Sequence, residues 1–157
     1  MSKCIYLIGS LRNPDIPEIG KNLRERDWEV FDDWYAPGKE ADDYWRDYSQ
    51  RRGQTYQEAL DSWAANHVFD FDRYHLDRCD IGLLVHPAGK SCHLELGYLI
   101  GQGKPSFIYW PNGEPPEDRW DVMVKFAKTA FSLAELLGRL EKHRAKDLTI
   151  PKQDVWR

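Results

Sequence analysis

Short, nearly continuous apolar runs alternate with amphipathic stretches along most of the chain. Residues 3–8 (KCIYLI) are apolar and β-rich and run into Gly9-Ser10, as a buried parallel strand meets a loop. Pro17 opens a helical stretch to about Arg26 with Ile19 and Leu23 on one face, and residues 28–31 read as a second strand. Residues 56–77 have helical spacing at Leu60, Trp63, Ala64 and Val68 and predict one long helix, straight or kinked. IGLLV at 81–85 follows as a strand buried on both faces. After a turn at 86–91 the pattern continues as a helix over 92–101 and a strand over 106–109. A short helix over 121–128, a strand over 129–131 and a closing helix over 133–143, with Leu136, Leu137 and Leu140 inward, complete the alternation.

Strands alternating with helices define an α/β chain: a doubly wound, flavodoxin/Rossmann-like five-stranded parallel sheet with helices on both faces. Ligands of such sheets bind beyond the carboxyl ends of the strands, so the loops at Gly9, Asp32 and His86 are expected to share one crevice. At 157 residues one domain suffices, assigned to 1–146, with a polar tail over 147–157 that includes Trp156. Residues 32–54, polar, aromatic and punctuated by Pro and Gly, read as a long binding loop.

Charge and composition narrow the partners. With 22 Lys plus Arg against 26 Asp plus Glu the net charge is −4, and there is no basic run to neutralise a phosphate backbone, so polymeric nucleic acid is not expected. The opening segment reaches Arg12 too soon for a signal peptide or membrane span, which points to a cytoplasmic protein without a membrane partner. Cys4, Cys79 and Cys92 lack C-x-x-C spacing and are read as reduced thiols rather than a disulfide framework or zinc site. His86, Cys92 and His93 lie close in sequence but lack an ordered spacing and a fourth partner, and no metal is expected.

The candidate chemistry lies in two places. Gly9-Ser10-Leu11-Arg12 offers a tight turn, a hydroxyl and a guanidinium for a sugar or an anion; neither G-x-G-x-x-G nor a P-loop is present. In SCHLELGY, Glu95 falls near the start of a helix at the carboxyl edge of the sheet, where the helix N-terminus is expected to favour its anion. Asp72 lies eight residues before Asp80, about two turns up the preceding helix, and can overhang the same crevice. Two carboxylates from different elements suit glycosyl transfer, one attacking the anomeric carbon and one serving the leaving group. In the aromatic loop, Trp34 or Trp45 is a candidate to stack on a flat ring, with Asp33 or Asp43 accepting from an exocyclic amine, and surface packing is the equal alternative.

The segment from Asp72 through Asp80 to HLELGYLIGQGKP resembles the nucleoside 2-deoxyribosyltransferase family, and IYLIGSLR is similar to the related 2'-deoxynucleoside 5'-phosphate N-hydrolases. The likeness covers most of residues 3–140. It implies a cofactor-free enzyme and a homo-oligomer whose crevice is shared between subunits. It implies Glu95 as nucleophile, Asp72 as the proton-handling carboxylate and Tyr6 as a phenol orienting Glu95, with Gly9, Ser10 and Arg12 at the sugar or phosphate end. The ligands implied are a nucleoside or its 5'-monophosphate and a free nucleobase. One position departs: six residues before the glutamate the transferases carry an acid and the phosphohydrolases a serine, whereas this chain has Gly89. Ser91 and His93, with Lys90, are the hydrogen-bond donors nearest that gap. A nucleotide-binding sensor without turnover is the alternative from another class.

Overall fold

A computed structural model describes residues 3–149. Strands β1 (Cys4–Ile8), β2 (Glu29–Phe31), β3 (Ile81–Val85), β4 (Ser106–Tyr109) and β5 (Lys128–Ala130) form one all-parallel sheet in the order β2-β1-β3-β4-β5. Every residue of β1, β3 and β4 is buried, the physical counterpart of their unbroken apolar runs. Strand order reverses between β1 and β3, which sets the crevice of the doubly wound sheet above Ile8 and Val85.

The helices are α1 (Ile16–Arg24), α2 (Ala41–Arg51), α3 (Tyr56–Leu60), α4 (Trp63–Arg78), α5 (Lys90–Gly101) and α6 (Leu133–Thr149). Alternation along β1 sends Ile5 and Leu7 to a core shared with Ile16, Ile19 and Leu23 of α1 and Leu136 and Leu140 of α6. Cys4, Tyr6 and Ile8 face the opposite core with Leu76 of α4 and Cys92, Leu96 and Leu99 of α5. The sheet is therefore covered on both faces. Gly82 lets α5 settle closely on β3: a Cβ there would lie 2.7 Å from Leu99 Cδ1 and 3.2 Å from Leu96 Cδ1.

Four stretches differ from expectation. Residues 32–54 are not an irregular loop: they contain a 3₁₀ turn at Asp33–Tyr35 and the whole of α2, whose polar sequence buries only Ser49 and so carries no apolar stripe to reveal it. The single helix expected over 56–77 is two helices, because Ser62 accepts from the Ala65 amide at 3.3 Å and starts α4 afresh. Residues 122–126 form a 3₁₀ helix, and α6 runs to Thr149 instead of ending at 143. Trp156 lies outside the described residues. No described helix is long and apolar enough to cross a membrane.

Candidate active site

Three elements around the switch point deliver the two carboxyl groups and a phenol. Tyr6, fully buried in the middle of β1, points toward α4 and α5. Asp72 on α4 and Glu95 on α5 are both half-buried, and each acts electrostatically on the Tyr6 hydroxyl. That hydroxyl interacts with Glu95 but has no partner in hydrogen-bond geometry, so a buried donor stands beside the carboxylate unsatisfied. Burial first, then the charges of Glu95 and Asp72, push the phenol far above its usual range; Tyr6 is a neutral donor.

Glu95 is not the stabilised anion that a helix N-terminus would make. With Gly89 as N-cap, Glu95 is the sixth residue of α5, beyond the turn in which the helix dipole acts. Burial and the nearby charge of Asp72 raise it from 4.5 to about 7, only partly opposed by Tyr6. Burial likewise raises Asp72 from 3.8 to about 6. Between about pH 6 and 7 the two carboxyls therefore share about one proton, held more on Glu95 than on Asp72 because Glu95 has the higher value.

An aromatic cluster braces the turn of α4 that carries Asp72. Phe31, at the end of β2, stacks on His75 of α4 at 3.8 Å between ring centroids and 9° between planes. It also meets Tyr6 at 5.0 Å and Phe71 at 5.8 Å. Phe71 and His75 are one turn apart and flank Asp72, so Phe31 locks the α4 turn that carries this carboxylate against β1. His75 Nδ1 accepts from Arg78 Nε at 2.7 Å, which leaves its proton on Nε2. The i, i+4 spacing of Phe71 and His75 was the available signal.

Gly9, in the loop after β1, is closely packed: a Cβ there would sit 2.5 Å from Ile16 Cδ1 and 3.7 Å from the Trp34 ring. Trp34 is half-buried, and its indole N–H donates to the Leu7 carbonyl at 2.7 Å, which anchors it over the end of β1. Asp33 is exposed and acts electrostatically on His75. Ser10 Oγ accepts from the Arg12 amide at 3.1 Å. The Arg12 side chain reaches outward to Asp43 of α2 at 3.3 Å and is 70 % exposed. Trp45 packs edge-on to Tyr56 at 6.5 Å.

The expected donors near Gly89 separate onto two sides of α5. Ser91 is one turn before Glu95 and shares its face, whereas His93, two residues before, lies on the opposite side. His93 Nδ1 bonds the Gly89 carbonyl at 2.7 Å, and the residue lines a cleft of about 840 Å³ with His86, Leu96, Gly97 and Trp110. None of Tyr6, Asp72 and Glu95 lines that cleft. Gly89 faces open space, with nothing within 4 Å of where a Cβ would stand. The expected single crevice is thus divided by α5. Among the described residues no group of three or more His, Cys, Asp or Glu side chains is placed to hold a metal ion.

In architecture the chain is similar to the structure of the CMP N-glycosidase BcmB of Clostridium botulinum, with a TM-score of 0.53 and 14 % identity over 88 % of this chain and 99 % of that one. The 2-deoxyribosyltransferase of the psychrotolerant bacterium Bacillus psychrosaccharolyticus aligns with a TM-score of 0.48 and 18 % identity over 82 % and 98 % of the two chains. No family model matches the chain, and no curated protein matches it in sequence. At such identity the first likeness establishes the fold, the flavodoxin-like α/β sandwich read from the sequence; a reaction has to be argued from the site.

Proposed function

We propose that the protein cleaves or exchanges the N-glycosidic bond of a nucleoside or nucleotide, with Glu95 as nucleophile. The observation that carries this reading is the half-buried pair of Glu95 and Asp72, raised to about 7 and about 6, beside the unsatisfied hydroxyl of Tyr6. In the less populated form that carries the shared proton on Asp72, the ionised Glu95 attacks C1' as positive charge develops on the sugar, and Asp72 gives its proton to the departing base. Tyr6 then donates to a Glu95 oxygen and holds the other toward the sugar. The glycosyl ester on Glu95 breaks when a second base, or water, attacks C1' and returns the carboxylate. No group in this sequence of steps is a cofactor. The fold likeness to a CMP N-glycosidase agrees with this chemistry.

The test is incubation with a panel of nucleosides and 5'-monophosphates, with and without added free bases, followed by chromatography. Release of free base, with a new nucleoside when a second base is present, is expected. Ligand binding without base release over a long incubation points instead to a sensor that keeps only the fold.

A second reading, hydrolysis of a 5'-monophosphate, is favoured by Arg12, whose guanidinium stands exposed beyond the Gly9-Ser10 turn and pairs with Asp43. If Arg12 grips the phosphate, Arg12→Ala weakens monophosphate binding by about tenfold or more and leaves nucleoside binding nearly unchanged. Equal losses for the two ligands remove the phosphate role.

We also propose a cytoplasmic homo-oligomer. Three free thiols fit a reducing compartment. Of the sixteen residues of α4 only Leu76 is buried, while Trp63 is 94 % exposed and Val68, Phe69 and Tyr74 are exposed with it. Light scattering is expected to give a dimer or larger species; a fully active monomer contradicts this.

A further inference from the structure

Cys4 opens β1 and Cys79 directly follows α4, yet the pairing of β1 with β3 brings the two together. Their Sγ atoms are 2.8 Å apart, and the residues are 3 % and 1 % exposed. The Asp80 carboxylate accepts from the Cys4 amide at 2.9 Å, and the Asp80 amide donates to the Cys4 carbonyl at 2.8 Å, which clamps the two backbones around the sulfurs. Arg78 completes the cluster: its Nη1 lies 3.4 Å from Cys4 Sγ and 2.7 Å from Glu29 Oε1, while its Nε donates to His75. This cation, one-third exposed, stands between Cys4 and solvent.

The surroundings make the two thiols unequal. The hydrogen bond with Cys79, helped against burial by the Arg78 charge, holds the Cys4 thiol below its ordinary range. The same hydrogen bond and burial push Cys79 far up. One sulfur is thus prepared to react as a thiolate, with the second, still protonated, in contact with it. Cys92 is buried on α5 and serves as an internal reference.

We propose that Cys4 and Cys79 are a reversible thiol–disulfide pair, a modification site for peroxide-class oxidants that fastens the end of α4 to the first strand. The Cys4 thiolate attacks one oxygen of hydrogen peroxide, the O–O bond breaks, and a Cys4 sulfenic acid and hydroxide form. Cys79 sulfur then attacks Cys4 sulfur; the S–S bond forms, the hydroxyl leaves as water with the Cys79 proton, and the two sulfurs have together lost two electrons to the peroxide. A dithiol reductant reverses the reaction. The bond closes a loop of some 75 residues and leaves the sheet in place, since sulfurs already in contact need only side-chain rotation to reach roughly 2.05 Å.

The test treats the full chain with a slight excess of hydrogen peroxide, alkylates the remaining thiols and maps peptides without reduction. The expected product is a linked pair of the Cys4 and Cys79 peptides, two hydrogens lighter than their sum, with Cys92 alkylated. A rise in melting temperature of roughly 5 to 10 °C accompanies it and disappears with dithiothreitol. In Cys79→Ser the rise is absent and Cys4 stops as a sulfenic acid that dimedone traps; Arg78→Gln slows linkage several-fold in an otherwise folded protein. Three fully alkylated thiols, a disulfide that includes Cys92 or joins two chains, or the same thermal shift in Cys79→Ser overturns the proposal.

Discussion

Glu95→Gln is expected to abolish turnover and, above neutral pH, to stabilise the protein. The substitution keeps the shape of the side chain and removes the charge that, on the proposed mechanism, meets the developing oxocarbenium ion. A loss of about a thousandfold or more, equivalent to roughly 4 kcal/mol of transition-state stabilisation, is expected with substrate binding largely retained. The stability effect follows from burial. Glu95 titrates at about 7 in the fold instead of 4.5, so its contribution is fully present below about pH 4.5 and is lost as pH rises through 7, where the buried anion forms. A neutral Gln avoids that loss. Allowing for partial exposure, the variant gains about 2 kcal/mol at pH 8 and nothing at pH 4.5, a rise of roughly 4 to 8 °C in melting temperature at the higher pH alone. Thermal melts at the two pH values, run beside an assay of base release, check both halves; equal melting at pH 8 removes the buried-anion account.

Asp72→Asn is expected to lower kcat/KM by a hundredfold or more and to reshape its pH dependence. On the proposed mechanism the productive state carries one proton on the pair, so kcat/KM is expected to fall below about 6, where both carboxyls are protonated and no nucleophile remains. It falls again above about 7, where both are ionised and no acid remains. Asparagine cannot ionise, which removes the alkaline limb. It also removes a negative charge that raises Glu95, so the acid limb moves to lower pH. The pH profile of the variant, measured on the best substrate of the panel, checks this. A wild-type bell retained in Asp72→Asn assigns the proton to another group.

The sheet was legible in the sequence because strands buried on both faces must be apolar at every position, as β1 and β3 are. Helix α2 was not, since a helix that buries only Ser49 has no stripe to betray it, and the break before α4 rests on one serine side chain. Glu95, Asp72 and Tyr6 could be singled out by motif, and the fold brings them to one place. Their electrostatics could not be read: the helix start suggested a stabilised anion, whereas burial and proximity to Asp72 make the opposite. The separation of Ser91 from His93 follows from the helix starting at Lys90 rather than Cys92, a shift of two residues. The Cys4–Cys79 contact and the Phe31–His75 stack are between residues far apart in the chain, set by strand order alone.

A covalent nucleophile at Glu95 can be caught by trapping. A 2'-fluoro-2'-deoxynucleoside disfavours positive charge at C1' and slows both formation and breakdown of the glycosyl-enzyme. Incubation with an excess of such an analogue, followed by digestion and mass spectrometry, is predicted to show one fluorodeoxyribosyl adduct on the peptide containing Glu95. The adduct is lost when a free acceptor base is added and never forms in Glu95→Gln. A wild-type protein that releases base from natural substrates yet carries no adduct, or carries it on a residue other than Glu95, contradicts the account.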